Sequence, residues 1–316
     1  MPRTLRLRAL LALTPALALG LAGCDGASDI SPALSAADAQ VAAALVGQAI
    51  GDESEGLVSD LRDMDAGFDA RGLVYGDGPM SSGIRPGGPG GHGGPDDWRG
   101  DRQNGTVTYD STTGTHRMVY DRAMANERGS NALRVTLAYV YTTATGAFIR
   151  SPRTDRARID RIVFDGTRSG AARRTRPSST ASDTSSFSRA ATWTLGGLTG
   201  ATSTFSGDQL STGSGSMTTD DSAVRVRGYT VRLRTTNATI TRSAATTANG
   251  RPEMALTGTV AYETVFTRTA ADGTTEETRA EGTIDLATNG RALMRFMGND
   301  HRFALDMRTG GTAKQR

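Results

Sequence analysis

Residues 254–266 read Met-Ala-Leu-Thr-Gly-Thr-Val-Ala-Tyr-Glu-Thr-Val-Phe. Met254, Leu256, Val260, Tyr262 and Phe266 share one parity, with Gly258 and Thr264 in the same register. Successive side chains of an extended chain point to opposite faces, so this run predicts a half-buried strand. The same alternation runs through Leu133, Val135, Leu137, Tyr139 and Tyr141, and returns in Phe303, Leu305 and Met307. Val224 and Val226 change parity to Tyr229, Val231 and Leu233 across Gly228, which predicts a bulge there.

Asp272-Gly273 and Asn289-Gly290 lie between such runs and predict two-residue hairpin tips, with 256–270 antiparallel to 274–286. Asn249-Gly250 precedes the quoted run. Residues 223–308 therefore predict a meander of five strands joined by short turns. Earlier strands are predicted at 105–110, 116–121, 132–142 and 157–165. Residues 167–188 read as a Ser/Thr/Arg-rich loop, and 199–221 as a Gly/Ser/Thr-rich stretch with uncertain strands. Asn104-Gly105 followed by His116-Arg117-Met118-Val119-Tyr120-Asp121 echoes Asn289-Gly290 followed by His301-Arg302-Phe303-Ala304-Leu305-Asp306. The expected fold class is mainly β: an antiparallel meander sheet, curved or half-barrel, preceded by a short acidic α-helical segment. One continuous twisted sheet is favoured over two packed ones, because aromatic content is 5%.

The helical segment is alanine-rich from 33 to 49. Ser35 stands where an N-cap is expected, and apolar residues at helical spacing extend to Met64. Gly51 or Gly56 is expected to divide it in two. Residues 25–77 carry eleven carboxylates against Arg62 and Arg71, a formal charge of −9. A Gly/Pro-rich stretch, 76–103, cannot hold a helix or a central strand. The expected organisation is a leader at 1–23, the acidic helical segment at 24–75, this linker, a β domain at 104–310 and a tail at 311–316. Leu45, Val46, Leu57 and Leu61 want a partner, so docking of the acidic helices on the sheet is favoured over an extended spacer.

The formal net charge of +3 depends on Arg3, Arg6 and Arg8 in the leader, and Lys314 is the only lysine. Without the leader the chain is formally neutral, which speaks against nucleic acid as a partner. One cysteine excludes an internal disulfide, a paired redox motif and a thiolate zinc site.

Residues 9–22 are almost wholly apolar behind the three arginines. A helix of about 14 residues covers only about 20 Å, short of a bilayer's roughly 30 Å core, so the run reads as a cleaved signal rather than a span. Leu21-Ala22-Gly23-Cys24 closes it and resembles the lipobox of bacterial prolipoproteins. The resemblance covers residues 1–24. It implies cleavage after Gly23, a diacylglycerol thioether on the Cys24 Sγ, and Cys24 as the acylated first residue of the mature chain. Two or more acyl chains make a stable anchor. Asp25 favours inner-membrane retention in enterobacterial lipoproteins, a rule that is not general across bacteria. The expected location is the cell envelope, facing the periplasm or the cell surface.

Other chemistry is weaker. Asp63, Asp65 and Asp69 around Gly67 resemble a calcium loop, but Val74 stands where the bidentate glutamate is required. His92, His116 and His301 are the only imidazoles; His92 lies in the linker, and the other two read as solvent-facing strand residues. No GxSxG elbow occurs. No catalytic, cofactor or metal residue is therefore assigned. Arg150, Arg153, Arg156, Arg158, Arg161, Arg168, Arg173, Arg174 and Arg176 form the densest basic stretch, suited to an anionic envelope polymer or lipid. Three readings are compatible with these signals: a non-enzymatic envelope lipoprotein with a binding or structural β domain, a carrier of lipid or another apolar ligand on a curved sheet, and an envelope hydrolase.

Overall fold

Two helices precede the sheet: α1 (Ala36–Ile50) and α2 (Leu57–Phe68). Ser35 caps α1. Its backbone is extended, and its hydroxyl accepts the Asp38 N–H at 3.1 Å, satisfying one of the donors a helix start leaves unpaired. Gly51 closes α1 with its N–H on the Gly47 carbonyl. The computed structural model describes residues 34–52, 54–68, 104–126, 129–152, 154–175, 182–218, 223–241, 252–269 and 273–315. Cys24, Asp69, His92, Arg153, Arg176, the linker and Asn249-Gly250 lie outside them.

Twelve strands follow among the described residues. They are β1 (Asn104–Asp110), β2 (Thr115–Asn126), β3 (Gly129–Thr142), β4 (Arg161–Thr175), β5 (Ser182–Gly196) and β6 (Thr202–Thr218), then β7 (Ala223–Thr241), β8 (Leu256–Thr269), β9 (Thr275–Ala287), β10 (Arg291–Phe296), β11 (Arg302–Asp306) and β12 (Thr312–Lys314). Each pairs antiparallel with the next, and spatial order equals chain order. The protein is thus mainly β, a single antiparallel meander. The sheet is not closed: among the described residues β1 and β12 each pair on one side only. The five strands expected in 223–308 are β7 to β11. The β7–β8 connection, 242–255, is longer than the short turn expected there. One extra β7 residue intervenes between Val226↔Arg268 and Gly228↔Thr267, so the bulge falls where the parity change predicts it.

Three expectations need correction. Residues 167–175 and 182–188 are not loop but strand, within a pairing that runs from Arg161↔Gly196 to Thr175↔Ser182. Period 2 persists there, but the inward positions are Gly166, Arg168, Arg189 and Ala191, so little apolar contrast marks it. In 199–221, β6 likewise turns Ser203, Gln209 and Ser211 inward. The strand expected from 157 starts at Arg161, after a one-turn 3-10 helix at Arg156–Arg158. Finally, the Asn289-Gly290 tip is not a two-residue turn, while Asp272 of the other tip lies outside the described residues. The closing pair Ala287↔Arg291 leaves an odd number of residues between its members. Gly290, at φ 73°, ends a three-residue connection in the left-handed conformation that such loops require. The echo between the β1–β2 and β10–β11 hairpins does not preserve register, since Asp121 pairs Asn104 while Asp306 pairs Arg291.

Gly273 has φ 86°. A branched L side chain resists that conformation, so Gly273→Val is expected to cost at least about 1 kcal/mol of stability. A denaturation midpoint equal to wild type would show that this backbone is not required.

The inner face can be followed across the sheet in register: His116, Tyr139, Phe164, Trp193, Gly207, Thr235, Val260, Ile284, Met294 and Phe303. Over it lies α1, buried around most of its circumference through Ala39, Val41, Ala42, Ala43, Leu45, Val46, Ala49 and Ile50. A helix apolar on all sides needs partners on all sides. Here they come from β7, β8, β9, β11 and β12, with Arg189 of β5 and Gln209 of β6 reaching its C-terminal carbonyls. Strands from β5 to β12 therefore curl about one helix. Gly47 permits the closest approach, because a Cβ there would lie 2.2 Å from the Gly310 carbonyl oxygen. Residues Leu34–Arg316 form one compact unit, so the acidic helices are part of the sheet's core rather than a stalk.

Candidate functional site

Arg168 of β4 and Arg189 of β5 are direct cross-strand partners on the inner face, and both are buried. Like charges placed opposite one another repel, and ions removed from water need partners. The helical segment supplies them. Arg168 pairs with Asp60, with Asp63 at 2.5 Å and with Glu55 at 3.6 Å. The Asp60 side chain has 0% exposure, and the Trp193 Nε1–H donates to its Oδ2 at 2.9 Å. Arg189 donates to the Gln48 carbonyl at 3.2 Å, the Ser54 carbonyl at 3.4 Å and the Ser211 hydroxyl at 3.0 Å. Gln48 lies in the last turn of α1, where unpaired carbonyls concentrate negative partial charge. Gln209 adds a bond from its Nε2 to the Ala49 carbonyl at 2.9 Å.

Burial pushes both guanidinium groups down, each to about 10, which leaves them charged at neutral pH. Burial, then the Glu55 and Asp52 carboxylates, push Asp63 up, against the pull of Arg62. Tyr139 and Tyr141, stacked 5.8 Å apart, are raised by burial and by Asp63, so they stay protonated. Chemically this is a charge lock: two arginines on the sheet clamp one carboxylate helix and one helix C-terminus.

The two arginines of the lock leave a trace in the sequence. Arg168 keeps parity with Ile162 and Phe164, and Arg189 with Ala191, Trp193 and Leu195, so period 2 alone directs both inward. The Asp63–Gly67 stretch with calcium-like spacing is helix α2 rather than a loop, and Asp63 spends its carboxylate on Arg168. Among the described residues no group of three or more His, Cys, Asp or Glu is placed to hold a metal.

His116 is also corrected. It is fully buried on β2, its ring 4.6 Å from Tyr109 and 5.2 Å from Tyr141, with Nε2 2.9 Å from the Ile149 carbonyl oxygen. His301 lies just outside β11 and is half-buried. Burial pushes His116 down, opposed by the Ile149 carbonyl. The unfolded chain then takes up a proton more readily than the folded one. Stability from this residue is therefore present above about pH 6.5 and lost as pH falls through the lowered folded value. The His116→Gln variant is expected to lose less stability than wild type between about pH 7.5 and pH 5 in denaturant titrations. Equal losses would sink this assignment.

The basic stretch divides. Arg168 belongs to the lock. Arg150, Arg156 and Arg158 are exposed in the β3–β4 connection, where Arg158 meets Asp155 at 3.2 Å and Arg150 lies 6.0 Å from the centre of the Tyr109 ring. Buried Ile149 and Ile159 pin this connection, and Leu198 ties the β5–β6 turn to Asp160. No family model matches the chain, and no curated protein or solved structure gives a match.

Proposed function

We propose that the protein is a non-enzymatic cell-envelope lipoprotein, held to a membrane by acylated Cys24, whose β domain has a binding or structural role. The lipobox-like Leu21-Ala22-Gly23-Cys24 behind a basic and an apolar segment supports the anchor. The single observation that supports the role is the filled inner face. The sheet uses its apolar surface and its two buried arginines to hold the chain's own helices, so what it offers to partners is its outer face and its ends. A carrier would have to release α1 and α2 and break the lock before a lipid could take their place.

Cys24→Ser tests the anchor. Each buried CH₂ contributes about 0.8 kcal/mol to membrane binding, so losing all acyl chains is expected to move the protein from the membrane to the soluble fraction or leave it unprocessed. Mass spectrometry of the wild-type N-terminus reports the modification directly, and a free Cys24 thiol there would end the reading. Organic extraction of the purified protein is expected to yield no stoichiometric lipid beyond the acyl groups on Cys24. A tightly held lipid would favour the carrier instead.

A further inference from the structure

The fold has two unlike ends. At one lie the β2–β3, β4–β5, β6–β7, β8–β9 and β10–β11 connections; at the other lie the β1–β2, β3–β4, β5–β6, β7–β8, β9–β10 and β11–β12 connections. Helix α1 begins at the first end. Asn299, in the β10–β11 connection, donates from Nδ2 to the Leu34 carbonyl at 3.1 Å. Arg268, beside the β8–β9 connection, pairs with Asp38 in the first turn of α1 at 2.9 Å. The start of α1 is thus tied to that end by two contacts.

Cys24 is ten residue steps before Leu34. Whatever its conformation, a chain of that length spans at most about 36 Å. Strand β4 has 15 residues and is followed by a hairpin return of equal length. At about 3.3–3.4 Å per residue such a strand runs about 50 Å, so the tether is shorter than the sheet. Lying flat would press the outer face on the headgroups. Across β7 to β10 that face carries ion pairs: Arg279 with Glu263, Arg232 with Glu263 at 4.0 Å, and Arg295 with Asp285 at 3.1 Å. On β6 its one exposed large apolar side chain among the described residues is Leu210. In the end tied to α1, Met297 is 69% exposed, the most open large apolar side chain among those described.

We infer that the bilayer holding the Cys24 acyl chains lies against the α1-start end of the sheet, with Met297 toward it, and that the Arg150, Arg156 and Arg158 connection is presented away from that membrane. This rests on the anchor reading above. It makes the 297–301 connection the lipid-facing surface. An anionic partner of the exposed arginines then comes from the compartment and not from the anchoring leaflet.

The test uses the full lipoprotein purified from membranes and placed in phosphatidylcholine vesicles that carry a headgroup-linked nitroxide quencher. Acylation consumes the only native thiol, so an introduced cysteine is the one reactive site. Met297→Cys and Thr275→Cys report on the proposed near end, and Ala144→Cys, in the exposed β3–β4 connection, on the far end. Each is labelled with a fluorophore and checked for a wild-type unfolding midpoint. Quenching several-fold stronger at 297 and 275 than at 144 is the expected result. Equal, reversed or absent quenching in protein that floats with the vesicles overturns the orientation alone. Protein that does not float overturns the anchor reading, and the orientation with it.

Discussion

Arg168→Met is expected to cost the protein about 3–5 kcal/mol, because it leaves buried carboxylates without their cation. The Arg168 side chain is 1% exposed, and Asp60, Asp63 and Glu55 all converge on it. Domains are stable by only about 5–15 kcal/mol, so this one substitution threatens folding. A companion variant separates the charge from the packing. Arg168→Met with Asp60→Asn removes the most deeply buried of the stranded charges and keeps an oxygen for the Trp193 Nε1–H, so it is expected to be more stable than Arg168→Met alone. Chemical denaturation of both variants measures the difference. A cost below about 1 kcal/mol for the single change would mean that the cluster behaves like a solvated surface pair.

The second large effect concerns the helices. A chain of residues 104–316 keeps all twelve strands and lacks α1 and α2. It exposes Tyr139, Phe164, Trp193, Phe205, Leu233, Val260, Tyr262, Phe266, Ile284 and Phe303 together, all of them buried in the intact fold. It also leaves Arg168 and Arg189 facing each other without carboxylates. A patch of that size is far beyond what a soluble monomer leaves open. This fragment is expected to aggregate or to lose its cooperative unfolding transition. A peptide of residues 34–68 added in trans is expected to restore cooperative unfolding. A fragment that unfolds cooperatively on its own would show that the helices are accessory.

Much of the architecture was legible because it rests on local rules. The strict alternation in 254–266 and 133–141 marks strands whose inner face is apolar, and β8 and β3 stand there. Ser35 and Gly51 bound α1 because a cap and a breaker act on their own few residues. Gly228 marks a bulge because a parity change cannot be accommodated otherwise. The residues around β4, β5 and β6 were opaque for a related reason. Their inward positions are arginine, glycine, serine and glutamine, so hydrophobicity no longer reports which way a side chain points.

The two helices, the strands whose inner face is apolar and the acidic charge of the helical segment follow from the sequence alone, since propensity, period and charge are properties of short stretches. The pairing of Arg168 with Asp60 and Asp63, more than a hundred residues apart in the chain, was settled only when the curled sheet brought them together. The same holds for His116. Its strand was predictable, but its burial depended on β1, on Tyr141 of β3 and on the Ile149 carbonyl. Hairpin register belongs to the same class: Asp-Gly and Asn-Gly announce a reversal, while the number of residues in it was decided by which inner-face side chains had to meet across β8, β9 and β10. Which surface of a helix or strand is inside is a collective property of the packed core, because burial of an ion or a ring depends on every element that covers it.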